Sequence, residues 1–202
     1  FDALTGLANR LLLADRLEQA IAQNQRNKKI LAICFMDLDG FKLINDTLGH
    51  EAGDLLLTEV GTRLQSLLRG SDTVARLGGD EFVMLISDIN SEDECSLALQ
   101  RILQSIATPY TLVGNTLSEI SVSIGVTLYP DSENDTPQEV LRRADNALHK
   151  AKAAGANQTS FFEETMAVAA RQRFSIEREL RRGIPNRELR IYLQPQFAIG
   201  GR

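Results

Sequence analysis

The amino-acid sequence predicts an α+β domain with a mainly antiparallel sheet. Along residues 1–163, segments with apolar residues at helical spacing alternate with short apolar runs of strand length. Two of the strand-like runs directly flank Gly78-Gly79, as in a β-hairpin. The 202 residues, 43% of them hydrophobic, are enough for one such core and the remnant of another domain.

The helices are predicted from apolar residues that recur every three or four positions. The first covers Asn9–Ala22, where Leu13, Leu17 and Ile21 share one face, and the polar run Gln23–Lys29 ends it. The same periodicity predicts the later helices over Ala52–Arg69, Glu92–Ala107 and Thr136–Ala154.

Strands are predicted in the intervals between these helices. Lys29–Asp37 is almost entirely apolar after its first residue, which is typical of a strand buried on both faces. A second hairpin is expected around Gly114-Asn115, and its second arm should continue into a core strand. The remaining predicted strands are Asp72–Leu77, Val83–Ile86, Val122–Leu128 and Gln158–Glu163.

Composition excludes several classes of protein. The net charge of −5, without a basic stripe rich in aromatic residues, argues against nucleic acid as a partner. No apolar run approaches the roughly 18 residues that a membrane span needs. Cys34 and Cys95 fall on a predicted buried strand and a helix, so small buried thiols are expected rather than a disulfide framework.

Two acidic clusters indicate where chemistry takes place. In Gly78-Gly79-Asp80-Glu81, backbone without Cβ atoms can approach a phosphate while adjacent carboxylates hold a hard divalent cation. Asp37 is at the end of the buried strand, and a strand-end carboxylate near such a turn suits metal-assisted phosphoryl transfer. The alternative is that Asp37 and Asp39 only cap a following short helix, and the spacing leaves both readings open.

Five ordered blocks of the sequence form a family pattern: Asp2–Arg10, Asp37–Asp54, Arg76–Phe82, Ser121–Val126 and Ala144–Lys152. Together they resemble the GGDEF domain, the family of diguanylate cyclases that condense two GTP into cyclic di-GMP. The resemblance covers residues 1 to 162. It implies a cyclase palm-like fold, a ferredoxin-like βαββαβ core whose central, mainly antiparallel, five-stranded sheet is flanked by helices.

The resemblance implies a metal site and a catalytic pair. Mg²⁺, or Mn²⁺ in its place, is expected on the carboxylates of Asp37 and Asp80 and the carbonyl of Leu38. Beside the catalytic Asp80, Glu81 would position or deprotonate the attacking 3′-hydroxyl, or support a second metal. The competing interpretation of Glu81 is a turn residue that only faces solvent.

The family pattern also implies which residues bind GTP. Asn45 and Asp54 match the positions that read guanine, because an amide and a carboxylate suit its donor and acceptor edge. In isolation, both residues would more often be helix caps or turn residues. The residues expected at the phosphates are the glycines and cations near the two acidic clusters: Phe41 (through its backbone), Lys42, Gly78, Gly79 and Lys152.

One position departs from the family pattern. Where Lys-x-x-Gly-Arg-Asn is usual, this chain has Lys152-Ala-Ala-Gly155-Ala156-Asn157. Loss of a bidentate guanidinium is expected to cost about 1.5–3 kcal/mol of triphosphate binding. The expected outcome is a weakened cyclase. A GTP-binding module that regulates without condensing GTP is the alternative, and an interaction domain with an empty site is a third.

A second motif indicates regulation. Arg69-Gly-Ser-Asp72 precedes the Gly-Gly turn at the spacing of the family's product-inhibition site, where cyclic di-GMP binds as an allosteric inhibitor. An arginine fork grips phosphate or guanine, and a nearby carboxylate accepts from guanine N–H groups. Arg101 on the following helix is the candidate that completes this site. The alternative is an ion pair at a helix end.

The remaining expectations concern context. Residues 1–163 form the GGDEF unit, 164–187 a linker helix, and 188–202 resemble the start of an EAL domain, the cyclic di-GMP phosphodiesterase barrel. The resemblance implies a homodimer for catalysis, with a sensory domain upstream and an EAL domain downstream in a longer protein. A reducing, GTP-containing cytoplasm is the expected compartment, which includes the cytoplasmic part of a membrane-anchored sensor.

Overall fold

The computed structural model describes residues 1–27, 29–112, 117–130 and 135–164, and the single positions 176 and 184. The chain separates into two compact units after Met166. The predicted linker helix, apart from residue 164 and the two single positions, and the whole predicted EAL start lie outside the described residues. All of the helices and strands given below lie in the first unit.

A five-stranded sheet with helices on both faces forms this unit, which confirms the predicted α+β class. Its strand order is β2-β3-β1-β6-β7, and a two-stranded ribbon joins β4 to β5. The strands are β1 (Ile30–Asp39), β2 (Thr73–Gly78), β3 (Glu81–Ile89), β4 (Tyr110–Thr111), β5 (Leu117–Ser118), β6 (Ser121–Tyr129) and β7 (Thr159–Phe161). The helices are α1 (Arg10–Asn27), α2 (Phe41–Leu48), α3 (His50–Leu67), α4 (Glu92–Ile106) and α5 (Pro137–Ala153).

Strand β1 lies at the centre of the sheet and pairs antiparallel with both β3 and β6. At its end, Asp37 is opposite Glu81 on one side and opposite Ser123 on the other. Only β7 joins in parallel, beside β6. The register therefore collects polar side chains from three strands at one end of the sheet.

The alternation of side chains along β1 divides the core in two. Ala32, Cys34 and Met36 enter the larger cluster, which contains the apolar faces of α3 and α4. Leu31 and Ile33 enter the smaller cluster, with α1 and α5. By the same alternation, Asp37 and Asp39 lie on the side of α1 and α5.

Several element boundaries differ from the sequence predictions. Strand β1 continues to Asp39, because pairing with β6 is maintained beyond the last apolar residue. Helix α1 continues to Asn27, since a polar run does not by itself stop a helix whose other face is packed. A separate short helix, α2, precedes α3, and the two meet at Gly49, whose φ is 86°. Strand β6 is separate from the β4–β5 ribbon, whose connecting residues 113–116 lie outside the described part.

Helix α5 approaches the sheet closely at Gly125 of β6. A Cβ atom there would lie 2.0 Å from the backbone nitrogen of Leu148 and 2.1 Å from the carbonyl oxygen of Ala144. Only glycine allows such an approach. The C-terminal end of α5, which carries Lys152, is thereby brought towards the polar end of β1. None of the helices in the described part has both the length and the apolar character required to cross a bilayer.

Candidate active site at the end of the central strand

The acidic turn and the end of β1 meet as the sequence predicts. The β2–β3 turn places Glu81 opposite Asp37, and side chains of directly opposed residues project from the same face of a sheet. Gly78 and Gly79 adopt φ values of 143° and 54°, a region that favours glycine. Glycine is therefore needed in this turn for its backbone conformation, while a Cβ atom at either position would meet nothing within 4 Å.

Asp37 is half-buried, and its carboxylate forms an ion pair with Lys152 near the end of α5. The ammonium of Lys152 lies 2.5 Å from Oδ1 of Asp37. Burial raises the pKa of Asp37, and the charges of Asp80 and Asp39 act in the same direction, whereas Lys152 opposes them. The carboxylates of Asp80 and Asp39 thus both lie within electrostatic reach of Asp37.

This donor set fits a hard divalent cation. Asp37 and Asp80 supply two carboxylates, and the carbonyl of Leu38 lies between the strand's two acidic residues. Mg²⁺ in phosphoryl-transfer sites usually takes one or two protein carboxylates and completes its shell with water and phosphate oxygens. Within the described ranges, no three His, Cys, Asp or Glu side chains are close enough to form a metal cage alone. A cation here would complete its shell with water or with oxygens of a bound molecule.

Helices α2 and α3 place the predicted nucleotide-binding residues beside this end of the sheet. Phe41 is buried at the start of α2, while Lys42 is exposed to solvent. Asn45 packs tightly against Gly53 of α3, where a Cβ atom would lie 2.0 Å from its Oδ1. The absence of a side chain at Gly53 therefore makes room for the Asn45 amide.

Asp54 lies next to this contact, on the exposed face of α3. It lines an open concavity of about 330 Å³, together with Leu4, Leu55, Glu51 and Thr58. A purine base suits such a surface, because the leucines offer contact to its flat ring and the carboxylate accepts hydrogen bonds from its edge. The sequence analysis missed Leu4 and Leu55, which carry no polar group to mark them.

An interaction that the sequence analysis missed braces the glycine turn. Arg76 donates to the carbonyl of Gly79 from Nε at 3.0 Å and from Nη2 at 2.8 Å, and its Nη1 lies 3.1 Å from Asp2. Burial acts to raise the pKa of Asp2, but hydrogen bonds from Thr5 and Arg76 outweigh it, so this pKa lies below its ordinary value. Both Asp2 and Arg76 belong to blocks of the family resemblance, which was the available signal.

The capping interpretation of the β1 carboxylates is wrong. Helix α2 has Gly40 at its N-cap, with φ 81° and no side-chain hydrogen bond. Asp39 instead accepts from the hydroxyls of Ser121 and Ser123 and from the backbone N–H of Asn157. Its side chain therefore faces β6 and the turn after α5.

The residues predicted for product inhibition also meet. Arg69, Asp72 and Arg101 line one small cavity of about 70 Å³, between the end of α3, β3 and α4. Asp72 accepts from the backbone N–H of Arg69 at 2.9 Å and from that of Ser87 at 3.0 Å. The carboxylate thus fixes the loop before β2 and ties it to β3, while both guanidinium groups stay exposed.

Comparison with known proteins gives a consistent result. A family model described as "Diguanylate cyclase, GGDEF domain" matches residues 1–158. The bifunctional diguanylate cyclase/cyclic di-GMP phosphodiesterase MucR of Pseudomonas aeruginosa is 44% identical over 195 residues, which is 96% of this chain and 28% of MucR. Diguanylate cyclase TpbB, from the same species, is 40% identical over 151 residues, 75% of this chain and 34% of TpbB. The chain therefore spans about a third or less of these curated relatives.

Solved structures agree in fold. The GGDEF domain of TpbB (YfiN) from Pseudomonas aeruginosa has a TM-score of 0.80 at 36% identity, covering 84% of this chain and 98% of that one. The GGDEF domain of DgcB from Caulobacter crescentus, solved in complex with cyclic di-GMP, has a TM-score of 0.73 at 28% identity, covering 79% and 91%.

Proposed function

The chain belongs to the GGDEF-domain family of diguanylate cyclases, and on that premise we propose that it condenses two GTP into cyclic di-GMP with release of two pyrophosphates. The observation that supports this most directly is the convergence of Asp37, Asp80 and Lys152 at the end of the central strand. Paired carboxylates with a neighbouring cation suit a nucleoside triphosphate and its metal ion.

Asp37, Asp80 and the carbonyl of Leu38 would hold the metal, Mg²⁺ or Mn²⁺. When bound, such an ion neutralises charge on phosphate oxygens and makes the phosphorus more open to attack. The fit rests on the oxygen-only donor set and on the mutual repulsion of the two carboxylates, which a cation between them would relieve.

The nucleotide would lie across the start of α2 and α3. Asn45 and Asp54 would pair with guanine, since one offers an amide and the other a carboxylate at the edge of a shallow concavity. The backbone of Phe41 and the ammonium groups of Lys42 and Lys152 would neutralise the triphosphate. Gly78 and Gly79 would allow its close approach, because a side chain at either position would project into the space above the turn.

Glu81 would act on the attacking 3′-hydroxyl. It is exposed at the start of β3 and lies opposite Asp37 in the register. As the 3′-oxygen forms a bond to the α-phosphorus of the second nucleotide, its proton passes to the Glu81 carboxylate. The bond from that phosphorus to the oxygen of the β-phosphate breaks, and pyrophosphate leaves with the electron pair. Repetition at the other 3′-hydroxyl closes the ring.

Catalysis would require two subunits. Each subunit holds one nucleotide, and each 3′-hydroxyl must meet the α-phosphate held by the other subunit. The open concavity beside Asp54 is compatible with a facing partner. Turnover per subunit should therefore rise with protein concentration, and positioning with charge neutralisation would supply most of the rate enhancement.

Two further features would adjust the output. Ala156 replaces the family's usual arginine and would weaken GTP binding without abolishing it. Arg69, Asp72 and Arg101 would bind cyclic di-GMP as an inhibitor, since they share one cavity. The product would thus restrain its own synthesis from a site separate from the catalytic carboxylates.

The second candidate is a GTP-binding module that regulates an attached EAL phosphodiesterase. Ala156 favours it, and so does the cyclic di-GMP phosphodiesterase NbdA of Pseudomonas aeruginosa, which is 41% identical over 199 residues while this chain spans 25% of NbdA. In either case the domain would work in the cytoplasm, between a sensory segment and the EAL domain that residues 188–202 would begin.

One experiment separates the candidates. The protein, at high concentration, is incubated with GTP and Mg²⁺ or Mn²⁺, and the products are chromatographed, with calorimetric titration of GTP in parallel. Cyclic di-GMP that is absent with Asp80→Asn supports the cyclase, and GTP binding without product supports the regulatory module. If neither occurs, the proposed function is wrong.

A further inference from the structure

We propose that Asp39 is a positioning residue for the triphosphate end of the GTP site. Its carboxylate fixes the turn between α5 and β7, which follows Lys152 and contains position 156. This inference rests on the proposed function, because it assigns a residue to the site that would bind GTP. The support comes from three hydrogen bonds that converge on this one side chain.

The carboxylate of Asp39 joins segments that are distant in the sequence. Its Oδ1 accepts from the Ser123 hydroxyl at 2.8 Å, and its Oδ2 accepts from the Ser121 hydroxyl at 2.9 Å. Oδ2 also accepts from the backbone N–H of Asn157 at 3.0 Å, across 118 positions of sequence. The two serines hold the carboxylate, and the carboxylate in turn holds the Asn157 amide.

The register of the sheet explains why Asp39 can do this. Asp39 pairs with Ser121 on β6, and Ser123, two residues further along β6, shares a face with Ser121. Asp37 is two residues before Asp39, so both carboxylates project to the side on which α5 packs. One face of β1 thus presents Asp37 to Lys152 and Asp39 to the turn that follows.

The turn itself needs support. Gly155 donates to the carbonyl of Lys152, and Ala156 to that of Ala151, the pattern of a Schellman motif. Ala156 and Asn157 then adopt φ values of 59° and 49°. A left-handed conformation costs an alanine roughly 1–2 kcal/mol, so contacts outside the turn must stabilise it. The hydrogen bond from Asn157 to Asp39 is such a contact, and that from Ile124 to the carbonyl of Gln158 is another.

The charge of Asp39 separates a positioning role from a purely electrostatic one. Asp39 adds negative charge two residues from Asp37 on the same face of β1, in a site that would bind a polyanion. On charge alone, removing Asp39 should tighten GTP binding. If Asp39 positions the end of α5, its removal should weaken binding instead, because Lys152 and the turn lose their anchor. The two explanations predict effects of opposite sign.

The test is calorimetric titration with a non-hydrolysable GTP analogue and Mg²⁺. Asp39→Ala is expected to weaken binding roughly tenfold, the effect of about one charge-assisted hydrogen bond. Asp39→Asn, which keeps an acceptor for the Asn157 amide, should recover most of the loss. Asp15→Ala removes the same charge from the exposed face of α1, a helix that carries none of the proposed site residues, and should leave affinity unchanged.

A double-mutant cycle tests whether Asp39 affects nucleotide binding through Lys152. With Lys152→Met already present, Asp39→Ala should cost clearly less than it does alone, since coupled residues give non-additive losses. Thermal unfolding of each variant confirms that titrations are made on folded protein. If Asp39→Ala folds poorly, Ser121→Ala is used instead. It keeps the Asp39 carboxylate but removes one of its hydrogen-bond donors, and binding of the GTP analogue should weaken several-fold.

Binding by Asp39→Ala that equals or exceeds that of the original chain overturns the inference while leaving the proposed function intact. Additive losses in the cycle also overturn it, because Asp39 would then act independently of Lys152. If the original chain binds no GTP analogue, the proposed function fails and this inference fails with it.

Discussion

The ammonium of Lys152 lies 2.5 Å from Oδ1 of Asp37, so a residue near the end of α5 contacts the polar end of β1. This contact depends on the fold, because α5 approaches β6 without an intervening side chain at Gly125. Lys152 offsets the charge of Asp37 and contacts one of the proposed metal ligands directly. The structure therefore links helix packing to the chemistry of the site.

Replacing Lys152 tests its proposed role at the triphosphate. Lys152→Met should weaken binding of a GTP analogue by about one to two decades, since one charge-assisted hydrogen bond contributes roughly 1.5–3 kcal/mol. The matched control is Lys150→Met on the same helix, because Lys150 pairs with exposed Glu163 instead. Equal affinities for the two variants, measured by calorimetry, would contradict the role of Lys152.

Ala156→Arg tests the interpretation of the departure from the family pattern. The restored guanidinium should tighten GTP binding by about one to two decades and raise the rate of product formation. Ala22→Arg adds the same group to an exposed position of α1 and controls for net charge. If Ala156→Arg gains no more affinity than this control, residue 156 does not limit GTP binding.

Gly125→Ala tests the packing that brings Lys152 to Asp37. The added methyl group would meet backbone atoms at 2.0 and 2.1 Å, which cannot move aside as flexible side chains do. A loss of about 3 kcal/mol or more in the free energy of unfolding is expected, at the upper end of overpacking effects. Gly70→Ala, which meets nothing within 4 Å, is the control. Urea denaturation that gives similar stabilities for both variants would refute this account of α5.

Asp2→Asn tests the brace on the glycine turn through its pH dependence. The pKa of Asp2 is lowered in the folded state, so its contribution to stability is present above the unfolded value and is lost as pH falls through the folded one. At neutral pH the variant should lose about 1.5–3 kcal/mol, since Arg76 loses a charged acceptor.

The difference between the original chain and Asp2→Asn should shrink as pH falls below 3.8, the ordinary value for this carboxyl. Urea denaturation at a series of pH values measures it. Asp15→Asn controls for the loss of an exposed carboxylate on α1. A difference between the original chain and Asp2→Asn that stays constant from neutral pH down to pH 3 would show that Asp2 is not held ionised by Arg76.

Local patterns were sufficient to predict much of the fold. The periodicity around Leu13, Leu17 and Ile21 identified α1, and the glycine pair at 78–79 identified the hairpin that holds Asp80. The candidate site residues can be found from the family resemblance, because they lie within short blocks of sequence that match the family pattern. Each of these patterns is formed by residues that are close together in the sequence.

The rest depended on contacts between distant segments. Asp39 meets Ser121 across 82 positions, and Arg76 meets Asp2 across 74, so no local pattern marks either pair. The sequence does not reveal the boundary between α2 and α3, because Gly49 separates them by its backbone conformation and the polarity of the sequence does not change there. The sequence predicts an end at Asp37 for β1, two residues too early, because pairing with β6 keeps the strand extended to Asp39.

The most direct test of the account is diffraction from crystals grown with a non-hydrolysable GTP analogue and Mn²⁺, recorded at a wavelength where manganese scatters anomalously. We expect an anomalous peak between the carboxylates of Asp37 and Asp80, within bonding distance of the Leu38 carbonyl oxygen and the phosphates. Bound nucleotide with those carboxylates turned apart, and no peak between them, would contradict the proposed metal-dependent cyclase.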